Sequence, residues 1–360
     1  MKVYRRYLGR EVTSAILLVL LAFLALFAFF DTLGEIKNVG QGNYQVQHAF
    51  LFVLLRLPGR IYELMPIAVL IGTLYGLSTL ARHSEITVLR TAGLSSTSLL
   101  FALFQVASLF AVATLVIGEY VAPPAERAAQ QLRLKERGER GKIAGQSLRS
   151  GLWVKDESSF INAREVRPDS SLYGIRIFQF DDSARLRSVI EAAEGHPVTA
   201  DSWQLTDVVQ TALDDDRATI SKIPQLAWRS ALNPDILSVV TETPDSMSLR
   251  HLATYTKHLA DNHQATTRYD IAFWKKVIYP LAALVMVALA LPFATAHDRA
   301  EGVGLKIFTG VMVGIFFHML NGLFANLGAI NSWSPLLSAA TPSAIFLLAA
   351  GSLMWWVERR

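Results

Sequence analysis

Six stretches of this chain are apolar over about the length a bilayer requires, at 12–30, 61–81, 97–118, 277–296, 307–330 and 336–357. A helix rises about 1.5 Å per residue, so roughly 20 apolar residues cross a hydrocarbon core near 30 Å. Backbone amides find no partner in lipid, so each crossing must close its hydrogen bonds internally as a helix. Composition agrees: 18% of residues are charged, where soluble domains carry about a quarter. The first stretch follows Lys2, Arg5, Arg6 and Arg10, as a signal peptide would. Its apolar run exceeds a usual signal core and FFDTLGE offers no small-x-small cleavage pattern, so it reads as a retained helix.

Six spans place both termini on one side. That side carries ten short-loop cations: Lys2, Arg5, Arg6, Arg10, Arg82, Arg90, Arg299, Lys306, Arg359 and Arg360. The opposite short loops carry three, Lys37, Arg56 and Arg60. The positive-inside rule therefore makes both termini cytoplasmic. The net charge of +4 is the sum of such topogenic residues, and no basic tract is dense enough for nucleic acid. With no cysteine, disulfides, thiolate metal sites and cysteine nucleophiles are excluded.

Spans three and four are separated by a large insertion on the outer side. Three parts result: 1–121 with spans one to three, the insertion at 122–267, and 268–360 with spans four to six. PPAERAAQQLRLKERGER continues span three as a charged helix. The texture then becomes short alternating runs, GLWVK (151–155), SFINAREV (159–166), LYGIRIFQF (172–180), WQLTDVVQTAL (203–213) and ATISKI (218–223), parted by DD, GHP and DDD. Period-2 alternation at that spacing predicts an antiparallel sandwich or roll. SLRHLATYTKHLADN (248–262) predicts a helix leading back to the membrane. Asp214, Asp215 and Asp216 lack the glycine and terminal glutamate of a calcium loop and read as a solvated turn.

No pattern for bond-making chemistry is present. GERGKI (138–143) lacks the spacing and the Ser/Thr of a phosphate loop, and there is no His-Glu-x-x-His or Gly-x-Ser-x-Gly. His318 is the one histidine inside a span, with Asn321 and Asn326 following it, and helix packing is the favoured role for all three. The connector ARHSEITVLRTAGLSS (81–96) is different. It is short, charged and free of turn residues until Gly93, which predicts about four helical turns. Ile86, Leu89 and Ala92 form its apolar stripe, and Arg82, Glu85 and Arg90 its polar one. Such a helix docks into a groove on a separate motor subunit or lies on headgroups, and physics leaves both open.

RHSEITVLRTAG resembles the coupling-helix segment of the LptF/LptG permeases of the lipopolysaccharide exporter. GQGNY (40–44), GEYVAP (118–123), GLWVKD (151–156) and RYDIAFWKKVIYPL (268–281) resemble the same family at consistent spacing from the first span to the last. The resemblance implies an α-helical membrane protein with six transmembrane helices (3+3) and an inserted periplasmic antiparallel β domain of jellyroll type. It implies an LptF-like permease subunit as partner, an LptB-like ATPase dimer below, and an LptC-like membrane-anchored periplasmic protein that receives lipopolysaccharide. The chain itself would hold no cofactor, ATP and magnesium sitting on the ATPase, and would reside in a Gram-negative inner membrane. A lipoprotein-releasing permease is one alternative, opposed by the 3+3 layout. A non-transporting scaffold or sensor is the other, and it predicts no ATPase partner.

Residue by residue, Glu85 matches the family's coupling glutamate, and Ile86, Leu89 and Arg90 complete the expected ATPase-coupling site. Asp31 stands where some relatives carry a lysine near the outer end of span one, and Lys37 lies further out at a position also basic in relatives. A substrate with phosphates on a multi-acyl body calls for an apolar cavity with basic residues at headgroup level. Phe23, Phe27 and Phe30 on span one and Ile315, Phe316 and Met319 on span five are the expected apolar lining. Lys37, Arg133, Arg137, Lys275 and Lys276 are the expected phosphate ligands, Arg133 matching a basic family position after GEYVAP and arginine suiting bidentate phosphate contact. For Arg56 and Arg60, snorkelling to headgroups is the simpler account.

Overall fold

The computed structural model describes residues 2–137, 151–230, 243–295 and 303–359, apart from 94, 157, 167–170, 182, 184, 200–201 and 215–216. The GERGKI stretch and Asp215–Asp216 of the acidic turn lie outside the described residues.

Two compact units emerge. One comprises Met1–Lys37, Ala49–Ala129 and Thr267–Arg360, the other Asn38–His48 and Gln130–Thr266. The second unit thus begins later than residue 122 and recruits a loop from between spans one and two.

The membrane unit holds α1 (Lys2–Ile36), α2 (Val46–Arg82), α3 (Glu85–Thr91) and α4 (Ser96–Val116). A π-helical turn (Ile117–Val121) joins α4 to α5 (Ala122–Glu136), so span three runs unbroken into the charged extension. After the insertion come α7 (Thr267–Ile278), a 3₁₀ turn (Tyr279–Leu281), α8 (Ala282–Thr295), α9 (Val303–Ile330) and α10 (Pro335–Glu358). Six of these helical rods are long and apolar enough to cross a membrane.

Apolar side chains gain nothing by leaving lipid for one another, so helices in a bilayer associate through close backbone approach. Here α2 carries Gly72 and Gly76 four apart on one face. A Cβ at Gly72 would fall within the backbone of Ile16, and one at Gly76 would stand 3.5 Å from Val12 and Ala15. On α9, Gly310 and Gly314 repeat the device against α2, a Cβ there meeting Leu74 at 2.8 Å and Ile67 at 2.9 Å. The cluster so formed buries Val12, Ile16, Ala68, Leu77, Leu103, Met286 and Ala290 almost completely.

Spans two, three and four are each irregular near Tyr62. Pro58 and Pro66 lie inside the continuous α2, span three changes from α- to π-helical winding at Ile117–Val121, and the 3₁₀ turn divides span four. The Tyr62 ring lies where a Cβ on Gly118 would be, 2.5 Å away, and packs against the Tyr279 ring, tilted by 35° with centroids 5.0 Å apart. Tyr279 donates its hydroxyl hydrogen to the Glu63 carbonyl at 2.6 Å. Backbone groups freed by such breaks are re-satisfied by neighbouring side chains.

The second unit is a six-stranded antiparallel sheet in simple sequence order: β1 (Leu152–Asp156), β2 (Ser159–Val166), β3 (Leu172–Phe180), β4 (Leu186–Thr199), β5 (Ser202–Asp214) and β6 (Arg217–Arg229). Alternation reads correctly in β1, where Leu152, Val154 and Asp156 point inward. Among the described residues β4 is the one strand absent from the sequence reading. Its GHP segment is part of the strand, with Gly195 paired to Leu205 and a register shift after Pro197. Gly195 is required by packing, since a Cβ would sit 2.6 Å from Ile175 Cδ1.

Laid flat, five strand spacings of about 4.8 Å would separate the edges. Yet the Ser230 hydroxyl just beyond β6 donates to the buried Asp156 carboxylate of β1. The sheet is therefore rolled, with Trp203, Leu205 and Ile177 fully buried inside. Helix α6 (Leu249–Asp261) follows, its first turn capped by Ser248, whose hydroxyl accepts from the His251 amide at 3.2 Å.

Candidate functional site

The connector between spans two and three is shorter than its composition predicts. Span two runs on to Arg82, and a left-handed turn at Ser84 (φ 61°) starts the seven-residue α3, which ends before Gly93 (φ 91°). About two turns of independent helix remain where four were expected. Glu85 opens it, where a carboxylate favours the helix dipole.

Its apolar stripe divides. Ile86 is 7% exposed and belongs to the membrane unit's own cluster with Leu8, Leu80 and Leu99, so most of its surface is taken up within the chain and it anchors α3. Leu89 is half-buried, while Val88 is 64% exposed and stands between exposed Thr87 and Thr91. The sequence stripe missed Val88 because the 3.6 period identifies a buried face without saying which protein buries it. The Glu85 side chain is half-buried at the head of the helix. Of Arg90 only the backbone is described.

At the other end of the membrane unit, Arg60 of α2 grips Asp31 of α1. Nε donates to Oδ2 at 2.9 Å and Nη2 to Oδ1 at 2.7 Å, the paired geometry peculiar to a guanidinium and a carboxylate. Nη1 donates to Glu63 at 2.9 Å, and the guanidinium carbon stands 5.4 Å from the Phe27 ring centroid. Three carboxylate contacts leave Arg60 committed within the chain. Arg56 pairs with Glu126 on α5 at 3.3 Å. Both arginines are thus internal ties, a role that headgroup snorkelling does not describe. Opposite charges at matching heights on adjacent spans were the available signal for the Asp31–Arg60 pair.

The expected apolar lining divides as well. Phe23 and Phe27 are half-buried, packing against the core of the membrane unit. Phe30 is 56% exposed and touches Phe29. On α9, Ile315, Phe316 and Met319 are all exposed, as are His318 and Asn326. Asn321 turns inward and donates to the Phe317 carbonyl at 2.9 Å, so the three polar groups do not share one packing face.

Of the expected cations, Lys37 is exposed just past α1, and Lys275 and Lys276 are half-buried in the last turn of α7. In the second unit, Arg133 and Arg137 lie half-buried one turn apart where α5 ends, the Arg137 amide donating to the Arg133 carbonyl at 3.1 Å. The GQGNY loop closes that helix end. The Asn43 amide donates to the Glu136 carbonyl at 2.7 Å, one of the acceptors a helix terminus leaves open. Gly42 (φ 59°) permits the approach, since a Cβ would stand 2.7 Å from the Arg137 backbone. Among the described residues no group of three or more His, Asp or Glu side chains is placed to hold a metal ion.

The family model for the lipopolysaccharide export system permease LptF/LptG matches residues 6–356. The chain is 31% identical over 364 residues to the lipopolysaccharide export system permease protein LptG of Escherichia coli strain K12, covering 99% of this chain and 98% of that protein. It is 29% identical over 356 residues to the protein of the same name from Haemophilus influenzae, with the same coverage of 99% and 98%.

Proposed function

The chain belongs to the LptF/LptG family of lipopolysaccharide export permeases, and from that premise we propose how its parts divide the work. It is a multi-pass membrane permease with six spans and an inserted antiparallel sheet. In the proposal it pairs with an LptF-like subunit in a Gram-negative inner membrane, both termini and α3 in the cytoplasm and the rolled sheet in the periplasm. An LptB-like ATPase dimer, which carries the ATP and magnesium, seats against α3. Lipopolysaccharide leaves the membrane between the two permease subunits and passes to an LptC-like protein on its way to the outer membrane.

The observation that carries this reading is the match from residue 6 to residue 356, through every span and the sheet. Local geometry supports the assignment of parts. Exposed Val88 and the carboxylate of Glu85 form the face offered to the ATPase, with Leu89 beside them and Arg90 kept as a proposed coupling residue, while buried Ile86 links that face to the spans. On α9, Ile315, Phe316 and Met319 supply apolar surface. An ionisable group at membrane depth is costly against lipid, so exposed His318 supports a cavity or subunit contact on that face. Lys37, Arg133, Arg137, Lys275 and Lys276 remain the proposed basic groups for substrate phosphates, with Phe30 the exposed apolar residue of α1.

Co-expression with the LptF-like and LptB-like subunits and reconstitution with lipopolysaccharide tests the whole. The expected result is ATP-dependent release of lipopolysaccharide from proteoliposomes to a soluble acceptor. A complex that hydrolyses ATP but releases no lipopolysaccharide contradicts it.

A further inference from the structure

The rolled sheet carries a crease. Inward-facing residues of a strand recur at every second position, yet in β3 burial passes from Leu172 to Ile175 and in β5 from Leu205 to Val208, steps of three. Strands β2, β4 and β6 take the same step, between Ala163 and Val166, Ala192 and Gly195, and half-buried Ile223 and Leu226. One cross-strand row lies within all five steps: Arg164, Gly174, Ala193, Asp207 and Pro224, opposite one another in the register fixed by the pairs on either side. Gly174 (φ 60°) and Asp207 (φ 52°) take left-handed backbone there, and Pro224 has no amide hydrogen to give a ladder. An extra residue bends a strand, as in a β-bulge, and here five strands bend along one line.

The line divides the sheet into two panels. β1 belongs wholly to the first, since its partners Ser159 to Ala163 all precede the row. Ser230 ends the second, directly after β6. The buried bond from the Ser230 hydroxyl to the Asp156 carboxylate therefore fastens one panel to the other. Lys155, one residue before, donates to the Asn262 carbonyl beyond α6 at 3.3 Å, which holds β1 itself in place. The closed interior is filled, with Leu172, Ile177, Trp203 and Leu205 fully buried.

We infer that the roll is a clamp, the crease its hinge and the Asp156–Ser230 bond its clasp, and that releasing the clasp opens the apolar interior to lipid. This rests on the proposed delivery of lipopolysaccharide on the periplasmic side. The ladders within each panel survive the motion, because only the row at the crease turns.

The chain has no native cysteine, so Ser188→Cys places a single thiol at a buried, inward-facing site of β4. In the full chain in detergent, Ser230→Ala should speed its labelling by a maleimide about tenfold or more, the scale of one hydrogen bond to a charged group. Asp156→Asn should act in the same direction. Amide hydrogen exchange along the β4–β5 ladder should stay slow in both. Unchanged labelling would overturn the inference, and so would a parallel rise in labelling and exchange, which would make the bond a folding contact.

Asp156→Cys with Ser230→Cys replaces the clasp by a link that can be made and broken. A short bis-methanethiosulfonate should join the two thiols and cut lipopolysaccharide released per ATP several-fold, with recovery on reduction. Full release from the linked complex contradicts the clamp. Failure of the pair to link contradicts it equally, since a seam without its clasp should admit the reagent. Absence of release from the unlinked, otherwise wild-type complex is instead a failure of the proposed function.

Discussion

The membrane unit and the rolled sheet bury similar side chains by opposite means. In β3, Leu172, Ile175 and Ile177 face inward while Arg176 faces out to pair with Glu191 at 3.1 Å. The sheet thus separates core from surface by side-chain alternation, which water enforces. In α2 and α9 apolar residues lie on every side, and glycines decide where helices touch. Gly72 admits the backbone of Ile16, and Gly314 the side chain of Ile67. A soluble core is specified by what is apolar, and a membrane core largely by what is small.

Substituting glycines on both sides sharpens this contrast most. Gly72→Ala places a methyl in the Ile16 backbone, which cannot swing aside as a side chain can. We expect destabilisation of about 3 kcal/mol or more, the upper end for overpacking, read as loss of folded protein or a large drop in melting temperature in detergent. Gly195→Ala in the sheet meets the ends of Ile175 and Leu205 at 2.6 and 2.9 Å. Those tips can rotate, so about 1–2 kcal/mol is expected. A larger effect at Gly195 than at Gly72 would break the comparison.

The Asp31–Arg60 pair comes next, a polar tie between helices that apolar surface does not hold together. Arg60→Ala should cost about 1–2 kcal/mol, discounted because the two side chains keep 22% and 16% of their exposure. Asp31→Ala together with Arg60→Ala should recover part of that loss, since no carboxylate is then left unpaired. Strictly additive losses would deny the coupling.

The smallest effect belongs to His258 on α6, whose ring stacks near Tyr255 at 6.3 Å. Burial lowers its pKa below the ordinary value, against the opposing pull of Asp156 and Asp261. The unfolded chain therefore binds the proton more readily. The stability from neutral His258 is complete above pH about 6.5 and is lost as the pH falls through that region. Melting of the protein in detergent should drop slightly between pH 7.5 and pH about 5.5, and His258→Gln should flatten that share of the slope. An unaltered slope would remove His258 as the cause.

These contrasts explain what was legible in the chain. Span number and the strands β1, β2 and β3 follow from apolar length and alternation, each a property of one segment. Strand β4 escaped because Gly195 and Pro197 look like a turn, whereas Gly195 answers to Ile175 and Leu205 on neighbouring strands. The connector was visible as a charged helix, but its apolar stripe could not show that Ile86 turns toward its own spans. Asp31 and Arg60 each read as an isolated outer charge, and their bond depends on how α1 crosses α2. Contacts between segments are set by partners the local pattern does not contain.

The account rests on the two regions serving opposite compartments, and the absence of native cysteine makes that directly measurable. Val88→Cys on α3 and Ile220→Cys on β6 are 64% and 67% exposed positions. In right-side-out membrane vesicles, a membrane-impermeant maleimide should label Ile220→Cys at once and Val88→Cys only after the vesicles are opened. Immediate labelling of Val88→Cys, or protection of Ile220→Cys, would contradict a permease driven from one side that delivers its lipid on the other.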